Sequence, residues 1–333
     1  MKIIIRFDTL GRIACVLVGC YLACWLGCDS AFDPRGPLDQ KIVTFSVLST
    51  DRDIQLVRVQ LNYMPPSNDP LSQPSDLPIT DARVTLESGG RSYVFRDTSI
   101  TRWDTQRYPT KIRAYYLSRF TPQRGKSYQL TISSPTYGLV VGNITMPESP
   151  KFGLDGQTRF VLDEPNKYGP AVPLIFTGQL SKHTKGYVAR LILYYDVMKS
   201  GAWQEEAVEI PISSYDSAAY NMNMPVYPKM TVASATSGAA ATYRNGYYKG
   251  ALNMVNARYQ STQVIFKWAT FVVLQADTSL YDYYANTHAV QDPFSIRLDE
   301  PLVSSVNGGI GLIGAYSLDS AVYLLPYNFW GNR

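Results

Sequence analysis

The chain has 333 residues, 45% of them hydrophobic, and 31 Lys and Arg against 27 Asp and Glu leave a formal charge of +4. So even a balance, with no basic run of the kind that tracks phosphates, excludes a nucleic-acid binder. All four cysteines lie at or before Cys28, so thiol nucleophiles, thiolate metal sites and disulfides are excluded from everything that follows.

Lys2, Arg6 and Arg12 precede an apolar run from Ile13 to Gly27, which breaks at Cys28-Asp29-Ser30. This is the basic region, apolar region and small-residue junction of a secretory signal. A cysteine directly after a small residue at such a junction reads as a bacterial lipoprotein cleavage site, where the thiol is acylated. Leu17-Val-Gly-Cys20 has the better leucine spacing, but the polar chain begins only after Cys28. Lipidation is assigned to Cys28, with Cys20 as the alternative. A membrane-spanning helix needs about 20 apolar residues, more than this run supplies. Residues 1–27 are therefore expected to be a signal peptide and residues 28–40 a lipidated tether. Several acyl chains on one cysteine supply the stable attachment that a single chain does not.

Beyond the tether, Val57-Arg-Val-Gln-Leu-Asn-Tyr63 alternates apolar and polar residues, the period of a strand with one wet face. Five prolines between Met64 and Pro78 keep that stretch out of a sheet interior. Ala82–Glu87 and Tyr93–Phe95 read as a hairpin closed by Ser88-Gly-Gly-Arg91, because glycine takes the positive φ of tight turns. Tyr115–Leu117, then Ser127–Ile132 after the turn Pro122-Gln-Arg-Gly125, and then Gly138–Thr145 continue the pattern. Short strands at this spacing predict an immunoglobulin-like β-sandwich over residues 41–150.

Residues 151–333 are expected to form a second, larger β-rich domain, so that the whole is all-β. Tyr187–Tyr195 and the apolar run Val264–Leu274 are its strongest strands. Val232–Gly250, small and polar, reads as a long loop. One short helix is predicted from Asp277 or Thr278, with Leu280, Tyr281 and Tyr284 on one side and a polar cap before them. The glycines in Val306-Asn-Gly-Gly-Ile-Gly-Leu-Ile-Gly-Ala-Tyr316 read as a turn feeding a tightly packed closing strand. A phosphate-cradling loop would need a Lys-Ser/Thr pair and a following helix, which are missing.

Catalytic constellations are scarce in this sequence. His183 and His288 are its two histidines, and neither has a paired-ligand spacing; no metal site or cofactor is expected. Asp51 and Asp53 lack the further oxygen ligands of a calcium loop. The pairs Asp163-Glu164, Glu205-Glu206 and Asp299-Glu300 are adjacent, and neighbours on a strand point to opposite faces. A glycosidase needs two carboxylates facing across a cleft, so these pairs are poor dyads. Tyrosine is abundant at 25 residues. Tyr243, Tyr247 and Tyr248, in the stretch read as a loop with Arg244 and Asn245, are singled out as an exposed binding surface.

Several stretches resemble one family. They are the cysteine-bearing leader, Ile79–Leu86, Gly125-Lys-Ser-Tyr-Gln-Leu130, Ile144-Thr-Met-Pro147, Leu280–Tyr284, Asp292-Pro-Phe-Ser295 and Pro301–Tyr316. In these the chain is similar to uncharacterised outer-membrane lipoproteins of Bacteroidetes, a domain of unknown function often encoded beside TonB-dependent receptors. The resemblance implies an outer-membrane location, with the cell surface favoured over the periplasmic side, and a receptor as neighbour. It implies no reaction. The expectation is a non-enzymatic binding or accessory module, membrane-held through its lipid and acting beside a TonB-dependent receptor. The alternatives are a structural or adhesive surface lipoprotein and, last, a carbohydrate-active enzyme.

Overall fold

Along most strands apolar and polar residues alternate, and that alternation decides which face each strand buries. The computed structural model describes residues 38–64, 72, 75–102, 111–154, 156–212, 229–234, 238–259, 263–288 and 304–331. The first half carries β1 (Ile42–Ser49), β2 (Ile54–Leu61), β3 (Arg83–Ser88), β4 (Arg91–Val94), β5 (Arg96–Ile100), β6 (Ile112–Ser118), β7 (Ser127–Ser134) and β8 (Gly138–Thr145). The second half opens with β9 (Lys151–Leu154), helix α1 (Gly156–Asp163), β10 (Pro173–Gln179), β11 (Gly186–Lys199), β12 (Ala202–Ile210) and β13 (Thr231–Val232). It closes with β14 (Gly238–Arg244), α2 (Asn245–Tyr259), β15 (Val264–Ala276), α3 (Thr278–His288) and β16 (Ile310–Leu324).

The protein is all-β in class. Its predicted short helix is α3, which starts where the polar cap placed it: the Leu280 amide donates to Asp277 Oδ1 at 2.9 Å. Helices α1 and α2 are additional. Helix α2 and strand β14 replace most of the loop expected at Val232–Gly250.

One large sheet has the order β12-β11-β15-β16-β1-β2-β6-β5, with β13 beside β11. Its pairings are antiparallel except that of β1 with β16, which runs parallel from Val43 opposite Ile310 to Ser49 opposite Tyr316. The last strand thereby joins the first, and a single sheet runs through both halves of the chain. A second sheet, β4-β3-β7-β8, closes a sandwich over β1, β2 and β6 around Val57, Val59, Leu86, Leu130, Ile132 and Ile144. The third sheet, β14-β10-β9, packs with α1 and α2 over β11 and β15 around Phe176, Leu191, Leu193, Tyr248, Leu252 and Phe271. The chain passes from one core to the other near residue 150, yet β16 serves both. Ile313 and Ala315 lie in the first core, and Tyr323 packs against the second.

Between the two cores sits Gln275, fully buried. Its Nε2 donates to the Glu148 carbonyl at 2.8 Å and to Ser317 Oγ at 3.2 Å, and its Oε1 accepts from the Ser181 amide at 2.8 Å and Thr184 Oγ1 at 3.0 Å. A buried amide satisfied on both ends is worth keeping, because removing it would orphan several partners at once.

The glycine run behaves as a close-packed seam. At Gly311 φ is +130°, and a Cβ would stand 1.9 Å from the Thr44 carbonyl oxygen; at Gly308 φ is +82°, and a Cβ would stand 2.1 Å from the Leu139 oxygen. On the opposite face of the sheet lies α3, whose Leu280 packs where a Cβ at Gly314 would stand 3.1 Å away. Tyr283 of the same helix meets Phe45 edge-on at 6.0 Å.

Tyr243, Tyr247 and Tyr248 are not an exposed surface. They are 0%, 8% and 0% exposed and belong to the second core. Tyr243 faces inward from β14 and meets Phe176 edge-on at 5.9 Å. Tyr247 and Tyr248 occupy the first turn of α2, where Tyr248 Oη donates to the Leu162 carbonyl at 3.3 Å. The small residues before them, Ala239 to Thr242, let β14 pack closely without showing a strong hydrophobic period. Asn245 then pins the helix start: its Nδ2 donates to the carbonyls of Pro165 at 2.9 Å and Tyr168 at 3.0 Å.

Candidate ligand-binding basin

Three turns of the first half come together at one end of the sandwich. The first is Gly89-Gly90 between β3 and β4, where Ser88 pairs with Arg91 and both glycines have positive φ, +56° and +75°. A two-residue hairpin of this kind demands that conformation at both positions. The second is the corner after β6, where Arg119 takes φ +56° and the Phe120 amide donates to the Asp53 carbonyl at 2.9 Å. The third is Pro122–Lys126, held to β8 by the Gly125 amide donating to the Met146 carbonyl at 3.0 Å. Arg124 ties that turn to β16, donating to the Leu318 carbonyl at 2.8 Å and pairing with Asp319.

Between these turns lies an open basin of about 780 Å³, lined by Ser88, Arg91, Tyr93, Arg119, Phe120, Thr121, Gln123, Lys126, Ser127 and Tyr128 with Gly89. Its floor is aromatic: Phe120 lies 4.6 Å from Tyr93 and meets Tyr128 edge-on at 6.0 Å. Tyr128 is buried, and its Oη accepts from the Gln123 amide at 2.8 Å, which fixes the floor to the third turn. Burial pushes the Tyr128 phenol above its ordinary value, so it stays a neutral hydroxyl. Ser88 Oγ donates to the Ser127 carbonyl at 2.7 Å and joins the first turn to β7.

The rim carries three cations, Arg91, Arg119 and Lys126, all exposed, and among the described residues no carboxylate lines the basin. None of the three forms an ion pair with a described carboxylate. Glu87 lines an adjoining groove of about 560 Å³, and Glu148 packs behind Gly125. In a chain whose charges nearly cancel, the described charges of the basin's own lining are of single sign. Like charges held around a concave surface focus their field on whatever enters it.

Several carboxylates elsewhere are committed to structural partners. Glu206 accepts from Tyr259 Oη at 2.8 Å and Tyr195 Oη at 3.1 Å and pairs with Lys199. Desolvation pushes its pKa up, but these bonds outweigh it and hold the carboxyl below its ordinary value. Glu205 points to the other face of β12, where Lys267 stands 3.6 Å away. Asp163 pairs with Arg159 at 2.8 Å, and Glu164 with Lys167. Among the described residues no group of three His, Cys, Asp or Glu gathers as a metal site.

On the face of the large sheet that α3 partly covers, Trp203, Val322 and Leu324 are 48%, 57% and 67% exposed. Beside them Tyr194 stacks on Trp268 at 5.6 Å, with Lys267 Nζ 4.6 Å from the Trp268 ring centre. Cys20, Cys28, the tether up to residue 37, Asp292–Ser295, Asp299-Glu300 and the side chain of His288 lie outside the described residues.

The sequence placed two of the three turns, Ser88–Arg91 and Pro122–Gly125, but neither the Arg119 corner nor the basin. The available signal was a cation beside each turn: Arg91 after Gly90, Arg119 after β6, Lys126 after Gly125. Nothing in the linear order says that the three meet.

The family described as Domain of unknown function (DUF4249) matches residues 31–321 of this chain. No curated protein matches it. Among solved structures, the C-terminal globular domain of oligosaccharyltransferase from Pyrococcus abyssi is similar over 84% of this chain at 10% identity, with a TM-score of 0.21. The aligned region spans 44% of that structure. So low a score carries no argument about this protein.

Proposed function

The chain belongs to the DUF4249 family, and from that membership we propose that it is a lipid-anchored binding or accessory module of the bacterial outer membrane. In this reading it is surface-facing, held through Cys28, and works beside a TonB-dependent receptor without catalysing a reaction. The observation that carries the binding reading is the basin: a concave, cation-rimmed surface built from turns on a rigid sandwich. Loops on a rigid scaffold are where binding groups concentrate. The divergence of Glu205 and Glu206 and the structural pairing of the other described carboxylate pair argue against a glycosidase dyad. The leader supports the anchor, and the resemblance of the motifs supports the receptor.

The structural or adhesive alternative draws on the apolar strip at Trp203, Val322 and Leu324, since exposed patches of that kind mark contact surfaces. Mild cross-linking of native outer membranes, followed by pull-down and mass spectrometry, separates the readings. Stoichiometric recovery of a TonB-dependent receptor supports the accessory role. Recovery of the protein alone, or with abundant surface proteins only, sinks it. Labelling with an alkynyl fatty acid that disappears in Cys28→Ala supports the anchor; label that persists there and vanishes in Cys20→Ala moves it to Cys20.

A further inference from the structure

We propose that the Arg91–Arg119–Lys126 basin binds an anionic saccharide, a sugar chain carrying sulfate, phosphate or uronate groups; the inference rests on the binding-module reading and names its ligand class. Three features converge on that chemistry. The rim supplies two guanidinium groups and an ammonium with no described carboxylate to neutralise them. A guanidinium presents a planar fork that matches a sulfate, phosphate or carboxylate in two parallel hydrogen bonds. The lining between the cations is hydroxyl and amide, from Ser88, Thr121, Gln123 and Ser127, which suits a ligand rich in hydroxyls. The half-buried rings of Tyr93 and Phe120 leave apolar edges in the floor for the C–H faces of a sugar.

The size agrees. About 780 Å³ lies within the range of small-ligand sites and leaves room for a short oligosaccharide. The site is also braced from below. The Tyr128 bond and the Arg124 tie to β16 hold the third turn, the Ser88 bond to β7 holds the first, and the Phe120 amide bond to the Asp53 carbonyl holds the second. A preformed rim does not spend binding free energy on ordering loops. An acidic peptide would satisfy the cations equally well, but apolar ring edges beside a hydroxyl and amide lining match the alternating C–H and O–H surface of a sugar.

The test is calorimetric titration of the full-length protein in detergent with a sulfated dextran oligosaccharide. Unsulfated dextran of equal length, poly-glutamate of equal charge and phosphatidylglycerol vesicles are titrated in parallel. The sulfated sugar is expected to bind, more weakly as salt rises, and the variant R91Q/R119Q/K126Q to lose at least tenfold in affinity. The control R96Q/K151Q/K182Q removes the same charge from exposed positions outside the basin and is expected to bind as the wild type does. Equal losses in both variants would reduce the effect to net charge and overturn the site. Tighter binding of poly-glutamate or vesicles would overturn the ligand class. Absence of binding by every probe would overturn the inference while leaving the receptor-accessory reading to its own cross-linking test. Should the triple variant melt early, Lys126→Gln alone carries the comparison.

Discussion

Two glycine-bearing regions of this protein look alike in sequence and do opposite work. At Gly89-Gly90 both residues take positive φ, and a Cβ would meet nothing within 4 Å. At Gly308–Gly311 positive φ is combined with backbone pressed against the missing side chains, at Leu139, Val140, Ile42 and Thr44. The first region is a turn whose surroundings are open, and it borders the basin. The second is the seam where the last strand enters the sheet beside the first. Glycine therefore marks conformation in one place and contact in the other. The seam carries stability, and the basin is free to carry chemistry.

The seam breaks most easily at Gly311. Gly311→Ala meets both the φ penalty and the Thr44 oxygen, and is expected to cost roughly 4 kcal/mol or more. Urea titration of the variant reads this, and a midpoint equal to the wild type would show that β16 does not need so close an approach.

Behind the seam, Asp277 sharpens the contrast. It is 7% exposed, and burial pushes its carboxyl from 3.8 up to about 6, against the opposing bonds from the Leu280 and Ala315 backbone. Between those values the folded protein keeps a proton that the unfolded chain has released. The contribution of this group to stability is therefore full below about pH 4, falls as pH rises through about 6, and stays low above. Asp277→Asn keeps the helix cap and removes the charge. It is expected to abolish that slope and to gain up to about 3 kcal/mol at pH 7. Denaturation at a series of pH values checks it; parallel wild-type and variant curves would mean that the carboxyl ionises freely in the fold.

Gly89→Ala tests the open turn. Only the φ penalty applies there, so about 1–2 kcal/mol is expected, with most of it recovered in Gly89→Asn. The same Asn at Gly311 should rescue nothing. Tyr243→Phe comes next. The Tyr243 hydroxyl is buried with no hydrogen-bond partner among the described residues, so removing it should be neutral or stabilising by about 1 kcal/mol in thermal melts. A clear loss would reveal a partner for that hydroxyl. The smallest effects belong to the basin rim. Arg91→Gln and Lys126→Gln should each stay within about 0.5 kcal/mol of the wild type, and a larger loss would make the rim part of the scaffold.

Much of the first half was legible because its strands expose one face. Val57–Leu61 and Ser127–Ser134 show the period of two in their residues and in their burial. The second half hid more. Strand β14 runs through alanines that carry little hydrophobic signal, and α2 starts on Asn-Gly, a pair that reads as a turn. Tyr243, Tyr247 and Tyr248 looked like loop aromatics because their neighbours are small and polar, whereas closeness of packing is what the small residues supply. Tyr194 and Tyr195 follow strand alternation: the doublet sends Tyr195 into the core and leaves Tyr194 on the other face.

Local order in this chain follows from the sequence itself. Alternation decides strand faces, glycine decides the 89–90 turn, and Asp277 decides where α3 starts, because each depends on neighbours a few residues away. The parallel pairing of β16 with β1, the Gln275 junction between the cores and the meeting of Arg91, Arg119 and Lys126 were decided only in three dimensions. Each joins residues far apart along the chain, and no local propensity encodes which distant backbone or charge will stand opposite. The candidate site belongs to that second class, which is why its three cations became a site only once the turns that carry them were packed together.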